Sequence, residues 1–211
     1  MIVTRFKSEE EIYNVLKPFK KLVFIGCNIC AAECNTSGEK ILKEYKEKFE
    51  QKGFEVVYSM LIEGMCNQNL VKRDIKKFRD IEYDAVISFA CGAGTQSVMR
   101  VGGKNVITLL NTIYLARKPR VGSFTESCIM CGDCMLNQTM VCPKTRCSKG
   151  ITNGPCGGSV NGCCEVDPDR KCAWVEIYEK LEEKGETWRI EKIFQPLKNV
   201  NESKPRKDLN K

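Results

Sequence analysis

An α/β fold is predicted for the first 120 residues of this 211-residue chain: a mostly parallel sheet with flanking helices, Rossmann-like in plan. A small cysteine-rich, cofactor-ordered module follows over residues 121–178, and a C-terminal helix and arm over 179–211. Three observations carry this reading. Short apolar runs alternate with amphipathic segments up to residue 120. Nine of the 14 cysteines crowd into residues 128–172, and the chain contains no histidine.

The alternation is read in chain order. SEEEIYNVLKPF opens as a helix, with Ser8 as N-cap, Glu11 at the capping-box spacing, and a stop near Pro18. KLVFIG (Lys21–Gly26) is a continuous apolar run, the pattern of a buried strand, and it ends directly at Cys27. TSGEKILKEYKEKFEQKG places Ile41, Leu42, Tyr45 and Phe49 on one helix face and closes at Gly53. Phe54–Ile62 reads as a second strand, LVKRDIKKFRD as a second helix, Tyr83–Ala90 as a third strand and Asn105–Leu110 as a fourth. Strands and helices alternating at these lengths imply parallel strands joined by right-handed crossovers.

Ligands of such sheets sit beyond the carboxyl ends of the strands. All five cysteines of this half, Cys27, Cys30, Cys34, Cys66 and Cys91, fall in the loops that follow strands, whereas packing cysteines belong inside strands or on apolar helix faces. They are the candidate ligands of a thiolate site, at most four at once, suited to a [4Fe-4S] cluster or to Zn2+. Gly92 and Gly94 permit close backbone approach, and the helix start after Cys91 favours a negatively charged group. CGAGTQS lacks the Gly-x-Gly-x-x-Gly spacing of a dinucleotide loop.

In the second half, Cys128, Cys131 and Cys134 stand at successive spacings of three, the short signature of a [4Fe-4S] cluster. Cys142-Pro143, Cys147, Cys156, Cys163-Cys164 and Cys172 follow, separated mainly by turn formers. With Cys163 set aside as a neighbour duplicate, eight thiols remain, enough for two four-thiolate sites. So little apolar surface lies between them that cofactor ligation has to supply the ordering free energy.

The missing histidine excludes Ser-His-Asp and Cys-His catalysis, His-ligated haem and Rieske centres. Glu165, Asp167 and Asp169 sit beside turn residues and read as caps, so no catalytic residue is assigned. The first residues lack the apolar core of a secretory signal and no run approaches the length of a membrane span, so a cytoplasmic protein without membrane insertion is expected. In a reducing compartment fourteen cysteines point to metal ligation and not to disulfides. The net charge of +7 hints weakly at nucleic acid. Lysines interleaved with acids at helical spacing instead describe a solvated face, and each four-thiolate site adds about −2, so no nucleic-acid partner is expected. The polar tail NVNESKPRKDLNK reads as frayed or disordered.

CIMCGDC, CPKTRCSKG, NGPCGG and CEVDPDRKCAW, with IYEKL after them, resemble the methylenetetrahydrofolate reductase C-terminal domain, found in the MetV-type iron-sulfur small subunit of bacterial two-subunit methylenetetrahydrofolate reductases. The likeness extends into the first half through the cysteines after the first strand, the lone Cys66 and the FACG strand end. One departure is Gln138-Thr139-Met140-Val141, where the family often has a glycine-rich turn before Cys-Pro. The resemblance implies that Cys128, Cys131, Cys134, Cys142, Cys147, Cys156, Cys164 and Cys172 hold two [4Fe-4S] clusters. It implies a partner, a flavin-containing barrel subunit that carries FMN, binds the folate and reduces 5,10-methylenetetrahydrofolate to 5-methyltetrahydrofolate. This chain would relay electrons to that flavin from a low-potential donor such as ferredoxin or an electron-bifurcating complex.

Two other uses are consistent with the residues. One is a zinc-stapled assembly module without a redox role; the other makes the first-half site a substrate- or corrinoid-handling site. ETWRIEKIFQPL is apolar enough to dock a partner or to return onto its own domain. Trp174 and Tyr178, four apart, are expected as core or partner-facing contacts.

Overall fold

The computed structural model describes residues 1–102 and 105–195. The chain divides into two compact units, Met1–Thr125 and Glu126–Lys211. The last residues of the arm and the polar tail, 196–211, lie outside the described residues.

The first unit is built on a four-stranded sheet in the order β3 (Glu55–Ile62), β2 (Lys21–Cys27), β4 (Ala85–Phe89), β5 (Val106–Thr108), with parallel pairing throughout. β2 and β4 are central and covered on both faces, which is why KLVFIGC and AVISF are apolar without alternation; every residue of β4 is buried. The helices are α1 (Glu9–Leu16), α2 (Cys30–Glu33), α3 (Glu39–Gln51), α4 (Gln68–Ile75) and α5 (Gly92–Val101). Ser8 caps α1, accepting from the Glu11 backbone N–H at 3.2 Å. α3 turns Leu42 and Phe49 inward, and Phe49 meets Phe24 of β2 edge-on at 5.3 Å between ring centroids. The expected α/β class is therefore the observed one.

A second sheet was not legible in the apolar pattern. β1 (Ile2–Phe6), β6 (Leu110–Arg120) and β7 (Ser123–Cys128) form it in the order β1-β6-β7, with β1 antiparallel to β6. The run expected as one strand to Leu110 is broken after Thr108. There the Thr108 hydroxyl bonds both the N–H and the carbonyl of Leu110 at 3.2 Å, and the chain leaves the parallel ladder for β6. β6 is half-exposed and basic, so it carries no continuous apolar signal.

Two features of this unit give measurable expectations. At Gly26 a Cβ would lie 2.5 Å from Ser37 Oγ, which is buried, 2.6 Å from Leu61 and 2.9 Å from Leu42, which is also buried. Gly26→Ala is expected to destabilise the unit by ~1–3 kcal/mol in chemical denaturation, the ordinary cost of overpacking; an unchanged midpoint would contradict that packing. Asp74, 2 % exposed, takes hydrogen bonds from Arg73 at 3.0 and 2.8 Å and pairs with Lys77 at 2.8 Å. The Arg73 hydrogen bonds foremost, against the opposing effect of burial and with help from Lys77, hold its carboxyl down at about 2. A depressed acid stabilises the fold above its unfolded value near 3.8 and loses that contribution as pH falls toward 2. Both cations are exposed, so screening limits the contribution to ~1 kcal/mol. Asp74→Asn is expected to remove about that much at pH 7 and to flatten the acid limb between about pH 4 and 2; an acid limb identical to that of the parent protein would contradict the assignment.

The second unit contains α6 (Leu136–Thr139), α7 (Pro143–Arg146), a hairpin of β8 (Cys163–Cys164) and β9 (Asp167–Lys171), α8 (Ala173–Glu182) and a 3-10 turn at Thr187–Ile190. Its main buried apolar cluster is Cys172, Trp174, Ile177 and Leu181, with Met140, Val141, Val175 and Ile190 packed against them, and Met135 and Ala173 are buried besides. Tyr178 faces outward, its hydroxyl 3.5 Å from Glu182. The described part of the arm returns onto its own unit: Asn153 Nδ2 donates to the Phe194 carbonyl at 3.0 Å, Phe194 N–H donates to Asn153 Oδ1 at 2.7 Å, and Arg189 donates to the Asn137 carbonyl. Among the described residues no helix is long and apolar enough to cross a membrane.

Candidate functional site: the cysteine groups

In the first unit the parallel register brings three strand ends level, with Cys27 opposite Ile62 and Gly26 opposite Phe89. Cys27 closes β2, Cys30 opens α2, Cys34 ends it, Cys66 lies in the turn after β3, and Cys91 stands immediately before α5. Gly94 of α5 packs against the Cys66 turn, where a Cβ would lie 3.0 Å from that of Met65. The side chains nevertheless have separate environments. Cys27 is buried in the core, Cys34 Sγ is 3.7 Å from the Ile2 carbonyl, and Cys66 is exposed. The loop carrying Cys30 and Cys34 is fixed by Thr36, whose hydroxyl donates to the Ala31 carbonyl at 3.0 Å and lies 2.6 Å from that of Thr4.

In the second unit one cavity of ≈130 Å3 is lined by Cys128, Cys131, Cys134 and Cys142, with Ile129, Met130, Met135 and Leu136 among its other walls. Local backbone geometry builds it. Met130 and Gly132 both adopt positive φ (52° and 79°), which folds the triplet into successive tight turns and aims the Met130 N–H at Cys128 Sγ, 3.2 Å away. Cys142 arrives from the other side, on the turn that ends α6 at Met140. Met140 takes φ 57°, a conformation that favours glycine. Thr145 places its hydroxyl 3.4 Å from Cys142 Sγ. Lys144, on α7, reaches Cys131 Sγ at 3.7 Å and Asp133 at 3.1 Å. Neither Lys144 nor Asp133 was singled out from the sequence, where they stand only within the CPKTRCSKG and CIMCGDC motifs.

Of the other thiols, Cys147 ends α7, while Cys163 and Cys164 form β8, and Cys172 follows β9. Cys172 precedes α8 and its N–H donates to the Gly162 carbonyl at 2.8 Å; Cys163 pairs with Lys171 across the hairpin. Cys156 Sγ lies 4.0 Å from Glu165, which is ion-paired with Lys149. The Cys164 thiol is held below its usual range, first by the Val166 backbone and then by Ser148, whose hydroxyl is 3.7 Å away. Lys149 is raised, chiefly by its hydrogen bond to Glu165. Two glycines explain the NGPCGG segment: a Cβ on Gly154 would enter the indole of Trp174, and one on Gly158 would enter the Glu165 carboxylate. All cysteines are free, and among the described residues no three Cys, Asp or Glu side chains converge as a single-ion site.

The molecule thus belongs to the class of α/β proteins that end in a small, thiol-rich module. Residues 107–201, a little under half of the chain, match the family described as "Methylene-tetrahydrofolate reductase C terminal". The match spans every cysteine of the module and links this chain to methylenetetrahydrofolate reductase. No curated protein matches the chain.

Proposed function

We propose that this chain is the iron-sulfur electron-transfer subunit of a methylenetetrahydrofolate reductase, a cytoplasmic complex in which a separate flavin-containing barrel subunit binds and reduces the folate. The observation that carries the reading is the single cavity ringed by Cys128, Cys131, Cys134 and Cys142. An all-thiol donor set with no histidine suits an iron-sulfur group. The apolar walls and the Met130 N–H match the needs of a charged, sulfur-rich occupant.

When bound, a [4Fe-4S] cluster supplies a reversible one-electron couple. The chain's own part is to hold and orient it. The positive-φ turns at Met130 and Gly132 fix the three triplet thiols, α7 delivers Cys142, and the Ile129 and Met130 side chains stand exposed at the rim. By elimination, the remaining thiols of the resemblance, Cys147, Cys156, Cys164 and Cys172, are proposed to hold a second group, which leaves Cys163 outside both sets. The first-unit thiols Cys27, Cys30, Cys34, Cys66 and Cys91 are kept in the proposal as a third thiolate site for a [4Fe-4S] cluster or Zn2+, and no electron step is drawn through them.

The test is anaerobic electron delivery. Mixed with the flavin-containing barrel subunit and a reduced ferredoxin-type donor, the chain is expected to reduce the partner's FMN, and Cys134→Ser is expected to slow that step by tenfold or more while halving the iron of the second unit. Flavin reduction equally fast without this chain would overturn the proposal.

A further inference from the structure

Lys144 is a lysine with little access to solvent. Its side chain is 15 % exposed and that of Asp133 is 9 % exposed. Its ammonium lies 3.1 Å from both the carbonyl and Oδ2 of Asp133 and 3.7 Å from Cys131 Sγ, with the Phe194 ring 5.2 Å away on the remaining side. It follows Cys142 by two residues, so one short helix carries both a thiol of the cavity and the cation beside another.

Resting on the iron-sulfur reading above, we propose that Lys144 is a positioning residue that raises the reduction potential of the group held by Cys128, Cys131, Cys134 and Cys142, with the Asp133 carboxylate opposing it. The physical argument is one of charge. Reduction adds an electron at the thiolate-bound group, and a nearby cation that donates toward a ligand sulfur stabilises the reduced form more than the oxidised form. A carboxylate at similar range does the reverse. Burial decides the size of both effects, because solvent screens exposed charges. The hairpin thiols have a counterpart in the Lys149–Glu165 pair near Cys156, but there each side chain is 41 % exposed. The two sets of thiols therefore sit in inequivalent fields, and Lys149 supplies an internal control.

The experiment is an EPR-monitored redox titration of the anaerobically purified full chain with Lys144→Met, Lys144→Arg, Asp133→Asn and Lys149→Met. Lys144→Met is expected to lower the reduced-to-oxidised ratio at a fixed poise about tenfold, which is about 59 mV for a one-electron couple. Asp133→Asn is expected to move the same couple upward, Lys144→Arg to leave it near the parent value, and Lys149→Met to change it less than about threefold. A purely structural role would lose iron in both Lys144→Met and Asp133→Asn, or move both in one direction, and either result overturns the proposal. So do unchanged potentials in those two variants at full iron content. If Lys144→Met fails to retain iron, the upward shift in Asp133→Asn decides. A parent protein with no reducible signal would instead overturn the iron-sulfur reading itself.

Discussion

Stripping metal from the anaerobically prepared protein is expected to unfold the second unit and leave the first folded. The first unit has a continuous core running through β2 and β4, with Phe24, Phe49, Phe78 and Phe89 fully buried. Among the described residues the second has six buried apolar side chains, Met135, Cys172, Ala173, Trp174, Ile177 and Leu181, for a segment that is mostly turns. Backbone ordering costs about 1–2 kcal/mol per residue, which a core of that size does not offset. Structural metal sites of small domains contribute on the order of 10 kcal/mol of folding free energy, so under the proposed iron-sulfur reading ligation and folding of this unit are one event. The chain supplies its own reporter, because both tryptophans, Trp174 and Trp188, lie in the second unit. Chelation is expected to red-shift tryptophan emission to that of exposed indole and to abolish near-UV dichroism from Trp174, while most far-UV signal persists. A blue-shifted, fully dichroic Trp174 in metal-free protein would contradict the account.

Gly154→Ala is expected to be the most damaging single methyl addition in the second unit. Trp174 is buried, its Nε1 donates to the Ile151 carbonyl at 3.0 Å, and the indole lies against the Gly154 backbone where a Cβ would go. The ring is held by its hydrogen bond and by its burial at the start of α8, so moving aside would break that bond. Overpacking costs ~1–3 kcal/mol, and losing the indole hydrogen bond adds ~1 kcal/mol. Gly158→Ala makes the instructive comparison, because there the obstacle is the end of a flexible glutamate that can swing away at the expense of its Lys149 pair. In denaturation of the metal-loaded protein followed by tryptophan emission, Gly154→Ala is expected to lose about 2–4 kcal/mol and Gly158→Ala less than half of that. Equal losses would show that the indole contact does not set the cost.

The central strands were readable because burial on both faces leaves an apolar run, as in KLVFIGC, and the helices because one face must be apolar, as with Leu42 and Phe49 of α3. β1 and β6 were not readable. They pair residues more than a hundred positions apart, are half-exposed, and depend on a break at Thr108 that comes from a side-chain hydrogen bond and not from a propensity. At the candidate site the reverse holds. Cysteine spacing exposed the thiol-rich module at once, whereas the grouping of Cys142 with the Cys128–Cys134 triplet depends on positive-φ turns at Met130 and Met140, where the residue type argues against that conformation. Lys144 and Asp133 escaped for a related reason: a charged residue beside a turn or in a one-turn helix gives no sign in sequence that its surroundings are dry.

The most direct test of the central claim is a metal count with EPR on the anaerobically purified, untagged chain. Two thiolate-bound [4Fe-4S] groups predict a brown protein with roughly eight irons per chain and a reducible paramagnetic signal, falling to roughly four irons when Cys128, Cys131 and Cys134 are replaced by serine together. A colourless protein carrying stoichiometric zinc and no reducible signal would contradict it.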